Sequence, residues 1–289
     1  MAFNFSVFKV RALSAVVFVI IMLGGLIWNN YSFFTLFVVI AMGCLFEYQK
    51  LIALVYPNYK TISLIHKWGY YLLAAGIMFT LSAKILPLSS QLFTLVGTKI
   101  VPIILGIMII GDVLSKKISL QNWAISIAGL IYIPMGLSLF YQIKGAPVST
   151  YYRNWDFAIP LLIMVAVWVN DTMAYLVGSM IGKRQISSVS PNKTWEGTIG
   201  GMLISILVVS NATAYFIPDL KSNAVFLICL VAVVAGNYGD FFESKLKRMA
   251  GVKDSGSMMP GHGGFLDRFD SILLAGPFVW LLLDIMYHQ

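Results

Sequence analysis

Long apolar runs separated by short polar segments recur along this chain from residue 12 to residue 287. An α-helix needs about 20 such residues to cross the ~30 Å hydrocarbon core of a bilayer. Reading the runs against their interruptions predicts about nine spans, at 12–28, 33–52, 68–86, 92–111, 123–143, 157–182, 198–217, 224–243 and 271–287. Nine spans take roughly 180 positions, which leaves about 110 for loops. No sizeable domain fits outside the membrane. Composition agrees, with 59% hydrophobic residues, 11% charged and a mean hydropathy of +0.83. A soluble domain carries about 25% charged residues, so a water-soluble core, a disordered chain and a small disulfide scaffold are all excluded. The expected fold class is all-α, a polytopic integral membrane protein.

Twenty Lys+Arg stand against twelve Asp+Glu, for a net charge of +8. In a soluble chain that surplus would suggest nucleic acid; here basic residues gathered on the cytoplasmic face explain it, and no nucleic-acid partner is expected. Nine spans place fifteen of the cations with the N-terminus and the loops after helices 2, 4, 6 and 8. Only Lys144, Arg153 and Lys221 fall on the other side, and Lys84 and Lys99 near span ends can snorkel. The asymmetry predicts a protein of the cytoplasmic (inner) membrane with its N-terminus in the cytoplasm and its C-terminus outside. The first run follows Lys9 and Arg11 without a clear small-residue cleavage site, so it reads as an uncleaved anchor. Cys44 and Cys229 both lie inside apolar runs and read as small buried hydrophobes.

Acidic residues are unevenly placed. Eight of the twelve lie between 171 and 270, and all of these but Asp219 are in or beside helices 6 and 8 and the loops that follow. Ionisable groups at membrane depth are costly and face a cavity or a partner. Residues 1–150 therefore read as membrane scaffold, and 151–289 as the catalytic region with its motif loops. Four segments carry the polar residues. Asn170-Asp171-Thr172 is a polar step in an apolar helix, which suits a water-filled cleft and also suits a lysine partner. Ser190-Pro191-Asn192-Lys193-Thr194-Trp195-Glu196-Gly197 precedes a helix, as a phosphate cradle does, although Thr194 before Glu196 is equally a capping signal. Asp240, Glu243, Ser244 and Lys247 share one helical face, with Arg248 beside them.

The fourth segment holds Lys253-Asp254, then Pro260-Gly261-His262-Gly263-Gly264, then Asp267-Arg268 and Asp270. Glycines on both sides of His262 call for a tight turn with positive φ or for close backbone approach. His262, a lone imidazole in that turn, reads first as a structural hydrogen-bonding group. Asp267 and Asp270 are three apart at the head of the last helix. Oxygen-only carboxylates of this kind suit Mg²⁺ bridging to phosphates, and no Cys/His zinc spacing is present.

Two chemistries compete for these parts. One is an enzyme acting on phosphates at the membrane surface. Carboxylate pairs 240/243 and 267/270 would hold one or two divalent ions, and Lys193, Lys247, Arg248, Lys253 and Arg268 would bind phosphate oxygens. The other is an ion-coupled transporter with Asp171 and Asp240 as coupling carboxylates, which predicts polar groups at mid-membrane and an inverted repeat. Most of the polar residues fall instead in two loops on one side, which favours the enzyme.

The stretch Ser244-Lys245-Leu246-Lys247-Arg248, Lys253-Asp254 and Pro260 to Asp270 resembles the signature of phosphatidate cytidylyltransferases, also called CDP-diacylglycerol synthases. Asn170 to Tyr175 and Ser190 to Gly197 are similar to that family's two upstream motifs. The likeness is specific over about 165–271 and general before residue 150, through the basic entry near Arg11 and the Glu47-Tyr48 pair. It implies condensation of CTP with phosphatidic acid to CDP-diacylglycerol and pyrophosphate, a Mg²⁺-dependent site with a helper cation such as K⁺, and a homodimer. It also implies Asp240, Asp267 and Asp270 as metal ligands and, with Lys247, as the catalytic set. Asp171, Ser190, Lys193, Thr194, Glu196, Ser244, Arg248, Lys253, His262 and Arg268 would bind substrate. CTP-dependent polyprenol kinases and isoprenoid cytidylyltransferases share parts of this pattern. The CDP-alcohol phosphotransferase pattern is absent.

Overall fold

The computed structural model describes residues 5–145, 156–217, 220, 222–258 and 263–287. Of the first eight of these only the helical backbone is described. Among them, nine helices occupy the nine predicted places: α1 (Phe5–Trp28), α2 (Asn30–Val55), α3 (Leu64–Leu81), α4 (Ser90–Leu114), α5 (Leu120–Gln142), α6 (Ala158–Ile181), α7 (Trp195–Phe216), α8 (Ser222–Met249) and α9 (Leu266–Tyr287). The described residues form no strand, only an isolated bridge between Gln185 and Thr194. Seven of the helices, α2 and α4–α9, are long and apolar enough to cross a membrane. In α1 the apolar stretch Leu13–Trp28 is shorter than these. α3 has 18 residues, at the short end of the range for a span. The chain is thus an all-α polytopic membrane protein.

Boundaries moved where caps decide them. α2 begins at a capping box in which the Asn29 side chain accepts from the Ser32 N–H and the Ser32 hydroxyl accepts from the Asn29 N–H. α3 starts four residues before the expected 68 because Ser63 accepts from the His66 N–H. α8 continues six residues beyond the expected 243. At 28 residues it is about 42 Å long, so its last turns outrun a ~30 Å core. Two π-helical turns, Val96–Ile100 and Ile131–Met135, interrupt α4 and α5. The second contains Pro134, whose missing N–H and bulky ring disturb the regular ladder.

The helices group into two compact units. One comprises Met1–Ser138 and Met249–Phe269, the other Leu139–Arg248 and Asp270–Gln289. Residues 249–258 and 263–269 thus group with the N-terminal helices. The first unit has a buried polar centre that the scaffold reading did not foresee. His66 Nδ1 lies 2.6 Å from Asp112 Oδ2, and its Nε2 lies 2.9 Å from Ser126 Oγ. Ser63 donates to Asp112 at 2.7 Å, and the Tyr59 hydroxyl lies 2.9 Å from Ser126 Oγ. These groups tie the ends of α3, α4 and α5, and burying them is tolerable only because each has a partner.

In the second unit α6 and α7 pack through small residues. A methyl at Gly197 would overlap Gly178, and one at Gly201 would overlap Ala174, so the backbones meet as small-residue contacts allow in a bilayer. Cys44 and Cys229 are both buried, as expected.

Candidate active site

In the second unit, three of the four polar segments come together. Loop 183–194 closes on itself before α7. The Ile186 N–H donates to the Lys193 carbonyl (3.0 Å), and the Trp195 N–H donates to that of Arg184 (2.9 Å). Thr194 caps α7 through the Gly197 N–H at 3.1 Å. Glu196 Oε2 accepts from the N–H groups of Lys183 and Arg184, both at 3.1 Å. Thr194 thus caps α7, and with Glu196 it shapes the loop. Ser190 lies at its turn, where its carbonyl accepts from the Lys193 N–H at 3.0 Å.

The folded loop delivers Lys193 to α8, where its ammonium pairs with Asp240. Ser244, one turn on, donates to Asp240 Oδ1 at 3.2 Å. Arg248 is held against the same loop, its Nε donating to the Val189 carbonyl at 3.1 Å. Lys247 turns to the fully buried Glu243, 2.6 Å away. The predicted face 240/243/244/247 is therefore real, and it is internally paired.

Asp270 is buried, 8% exposed, at the head of α9 where that helix meets α8. Gly239 makes this approach possible, because a methyl there would overlap the Asp270 main-chain carbonyl. On α6, the Asn170 amide lies 3.2 Å from Asp171 Oδ1, and the Asn237 amide of α8 reaches Asn170 at 3.4 Å. Thr172 donates to the Trp168 carbonyl of its own helix. The acidic oxygens of this region, on α6, α8 and α9 and without sulfur or imidazole, are the donor chemistry that Mg²⁺ takes. The Lys193 ammonium is the partner that Asp240 has in this structure. Among the described residues no three acidic, histidine or cysteine side chains stand as a ready ligand shell.

The first unit holds the rest of the signature. Gly263 has φ +84°, the positive value that the glycines around His262 imply. His262 itself, with Pro260 and Gly261, lies outside the described residues. Asp267 Oδ2 accepts from the Ser255 N–H (2.9 Å) and the Gly264 N–H (2.7 Å), and lies 2.9 Å from Ser255 Oγ. Asp267 thus organises the loop ahead of α9. Lys253 and Asp254 are exposed on that loop. Arg268 borders a cavity of about 210 Å³ whose other walls include Phe18 and Met22 of α1, Leu36 and Val39 of α2, and Phe265 and Phe269.

Sequence reasoning missed one residue of this region. Glu47, in α2, binds the same loop that Asp267 does. A single glutamate in an apolar helix has many potential partners, and the Glu47-Tyr48 pair carried only a general likeness.

The model of the cytidylyltransferase family matches residues 9–286 of the chain. Among curated proteins, the phosphatidate cytidylyltransferase of Staphylococcus aureus (strain COL) is 41% identical over 175 residues, covering 59% of this chain and 63% of that protein. That of Staphylococcus epidermidis (strain ATCC 12228 / FDA PCI 1200) is 39% identical over 176 residues, with the same coverage. The chain thus spans just under two thirds of the length of these relatives. The phosphatidate cytidylyltransferase of Staphylococcus haemolyticus (strain JCSC1435) is 33% identical over 282 residues, 95% of this chain and 98% of that protein.

Proposed function

The chain belongs to the cytidylyltransferase family, and from that premise we propose that it is a membrane phosphatidate cytidylyltransferase, joining CTP and phosphatidic acid into CDP-diacylglycerol with release of pyrophosphate. The observation that carries this reading is the pairing of Lys193, delivered by the loop before α7, with Asp240, on the helix whose Gly239 packs against the main-chain carbonyl of buried Asp270. In the proposed reaction a phosphate oxygen of the lipid attacks the α-phosphorus of CTP. A new P–O bond forms, the bond to the β-phosphate oxygen breaks, and pyrophosphate leaves with its electron pair. The nucleophile is already an anion, so no general base is required. The barrier is repulsion between anions.

Asp240 and Asp270 are the proposed ligands of a Mg²⁺ ion, which when bound would supply Lewis-acid and charge stabilisation for phosphate oxygens. Asp267 is the third ligand that the signature implies, and K⁺ the helper cation. Lys193 and Arg248, held by loop 183–194, are proposed to bind the triphosphate, with Ser190 and Ser244 beside them. Lys247 holds Glu243 within this acidic group. Thr194 and Glu196 keep the loop in shape; Lys253, on the loop ahead of α9, and Arg268, in the first turn of α9, are with His262 the further substrate contacts that the signature implies. The apolar cavity beside Arg268 suits an acyl chain of the lipid substrate. A homodimer with its N-terminus in the cytoplasm is the proposed assembly and orientation, which places the motif loops where CTP is found.

The test is a purified-protein assay in mixed micelles with CTP, Mg²⁺ and a panel of lipid phosphates and alcohols, the lipid products being identified by mass. CDP-diacylglycerol formed from phosphatidate, and lost on chelation of Mg²⁺, supports the reading. A phosphorylated polyprenol or a CDP-isoprenoid as the sole product would replace it, and no product from any lipid would favour the transporter.

A further inference from the structure

Glu47 lies in a helix outside the acid-rich half of the chain, yet the residue is only 5% exposed. It accepts from the N–H of Phe265 at 2.9 Å and that of Leu266 at 2.8 Å. These are donors at the start of α9, where no intrahelical acceptor is available to them. Negative charge is favoured there twice over, by charge-assisted hydrogen bonding and by the positive end of the helix. The Ser255 hydroxyl lies 2.6 Å from Glu47 Oε2 and 2.9 Å from Asp267 Oδ2, so its single proton is shared between carboxylates from two separate helices.

The fit around Glu47 is close. A methyl at Gly256 or at Gly264 would overlap its carboxylate, so both loop positions have room only for hydrogen. Glu47 and Asp267 therefore hold one loop between them, meeting at the Ser255 hydroxyl. Glu47 fixes the first turn of α9, and Asp267 fixes the chain that enters it.

We infer that Glu47 is a positioning residue for cytidylyl transfer: its charge holds the first turn of α9, and with it the side chains of the signature that the turn carries, in the reacting arrangement. This rests on the proposed function. Glu47 itself touches no substrate; it acts through the backbone of Phe265 and Leu266. A glutamine is the same size but turns an amide N–H₂ toward groups that are themselves donors. The Glu47→Gln protein should therefore fold and lose turnover.

The experiment compares Glu47→Gln with the unchanged full-length protein in micelles, by kinetics and by hydrogen exchange. The expected result is a fall in kcat of about tenfold or more, with the KM for CTP within about twofold of normal. Exchange should rise in the peptide covering 263–269 and stay unchanged elsewhere. A kcat within about twofold of normal, or unchanged exchange at 263–269, overturns the inference. So does exchange raised throughout the protein, which would mark a general structural role. Should Glu47→Gln fail to accumulate, Ser255→Ala removes the shared hydroxyl alone. It should lower kcat severalfold and raise exchange at 263–269, and if both stay at the normal value the inference fails. The proposed function fails separately, if the unchanged protein forms no CDP-diacylglycerol; the exchange measurement still reads the clasp in that case.

Discussion

Lys193 and Asp240 are 47 positions apart, and their pairing shows which residues of this site are readable from sequence. Asp171 and Asp240 stood out because a carboxylate in an apolar run is expensive and needs a reason, and Asp270 because it stands three residues from Asp267 at the head of the last helix. Lys193 stood out from its motif. Thr194 and Glu196 fit both a cap and a substrate contact, and the fold shows the local part of that reading: their oxygens accept from backbone N–H groups of Gly197, Lys183 and Arg184. Two predictions belong at this scale. Lys193→Ala should raise the KM for CTP about tenfold, a loss of about 1.4 kcal/mol of binding, measured from initial rates. An unchanged KM would make the lysine only a structural partner of Asp240. Asp270→Asn should abolish pyrophosphate release while the detergent-solubilised protein keeps its elution profile, because it removes one charge without changing side-chain size. Near-normal release would remove Asp270 from the ion site.

The helices were legible almost throughout, since each run of about 20 apolar residues has one use in a bilayer. Their ends were less so, because a single cap such as Ser63 or Thr194 outweighs hydropathy in choosing the first residue. The π turns of α4 and α5 were not legible, for Pro134 announces a disturbed ladder but not the form it takes. Nor was the cluster of His66, Asp112 and Ser126, whose members come from three helices and share no local pattern. The contact of α8 with α9 gives a prediction of its own. Gly239→Ala sets a methyl against the main-chain carbonyl of Asp270, which has no rotamer by which to move away. Overpacking of this kind costs about 1–3 kcal/mol, so the thermal midpoint in detergent should fall and turnover should fall with it. An alanine protein with both values normal would show that the two helices part at no cost.

Charge placement along the whole chain, more than any single motif, sets the expected orientation in the membrane. A reporter fused after Gln289 should read as extracytoplasmic, and a cytoplasmic reading would reverse the map and place the motif loops away from CTP. The two compact units were not foreseen, because the return of residues 249–269 to the N-terminal helices depends on contacts such as that of Glu47 with Leu266, 219 positions away. Cytidylyl transfer to a lipid phosphate is the central claim for the molecule as a whole. Its most direct measurement follows CTP labelled separately at the α- and γ-phosphorus, with phosphatidate as acceptor. The α label should enter the lipid and the γ label should leave as pyrophosphate in equal amount. The γ label in the lipid, with CDP released, would contradict the claim and make the protein a CTP-dependent lipid kinase.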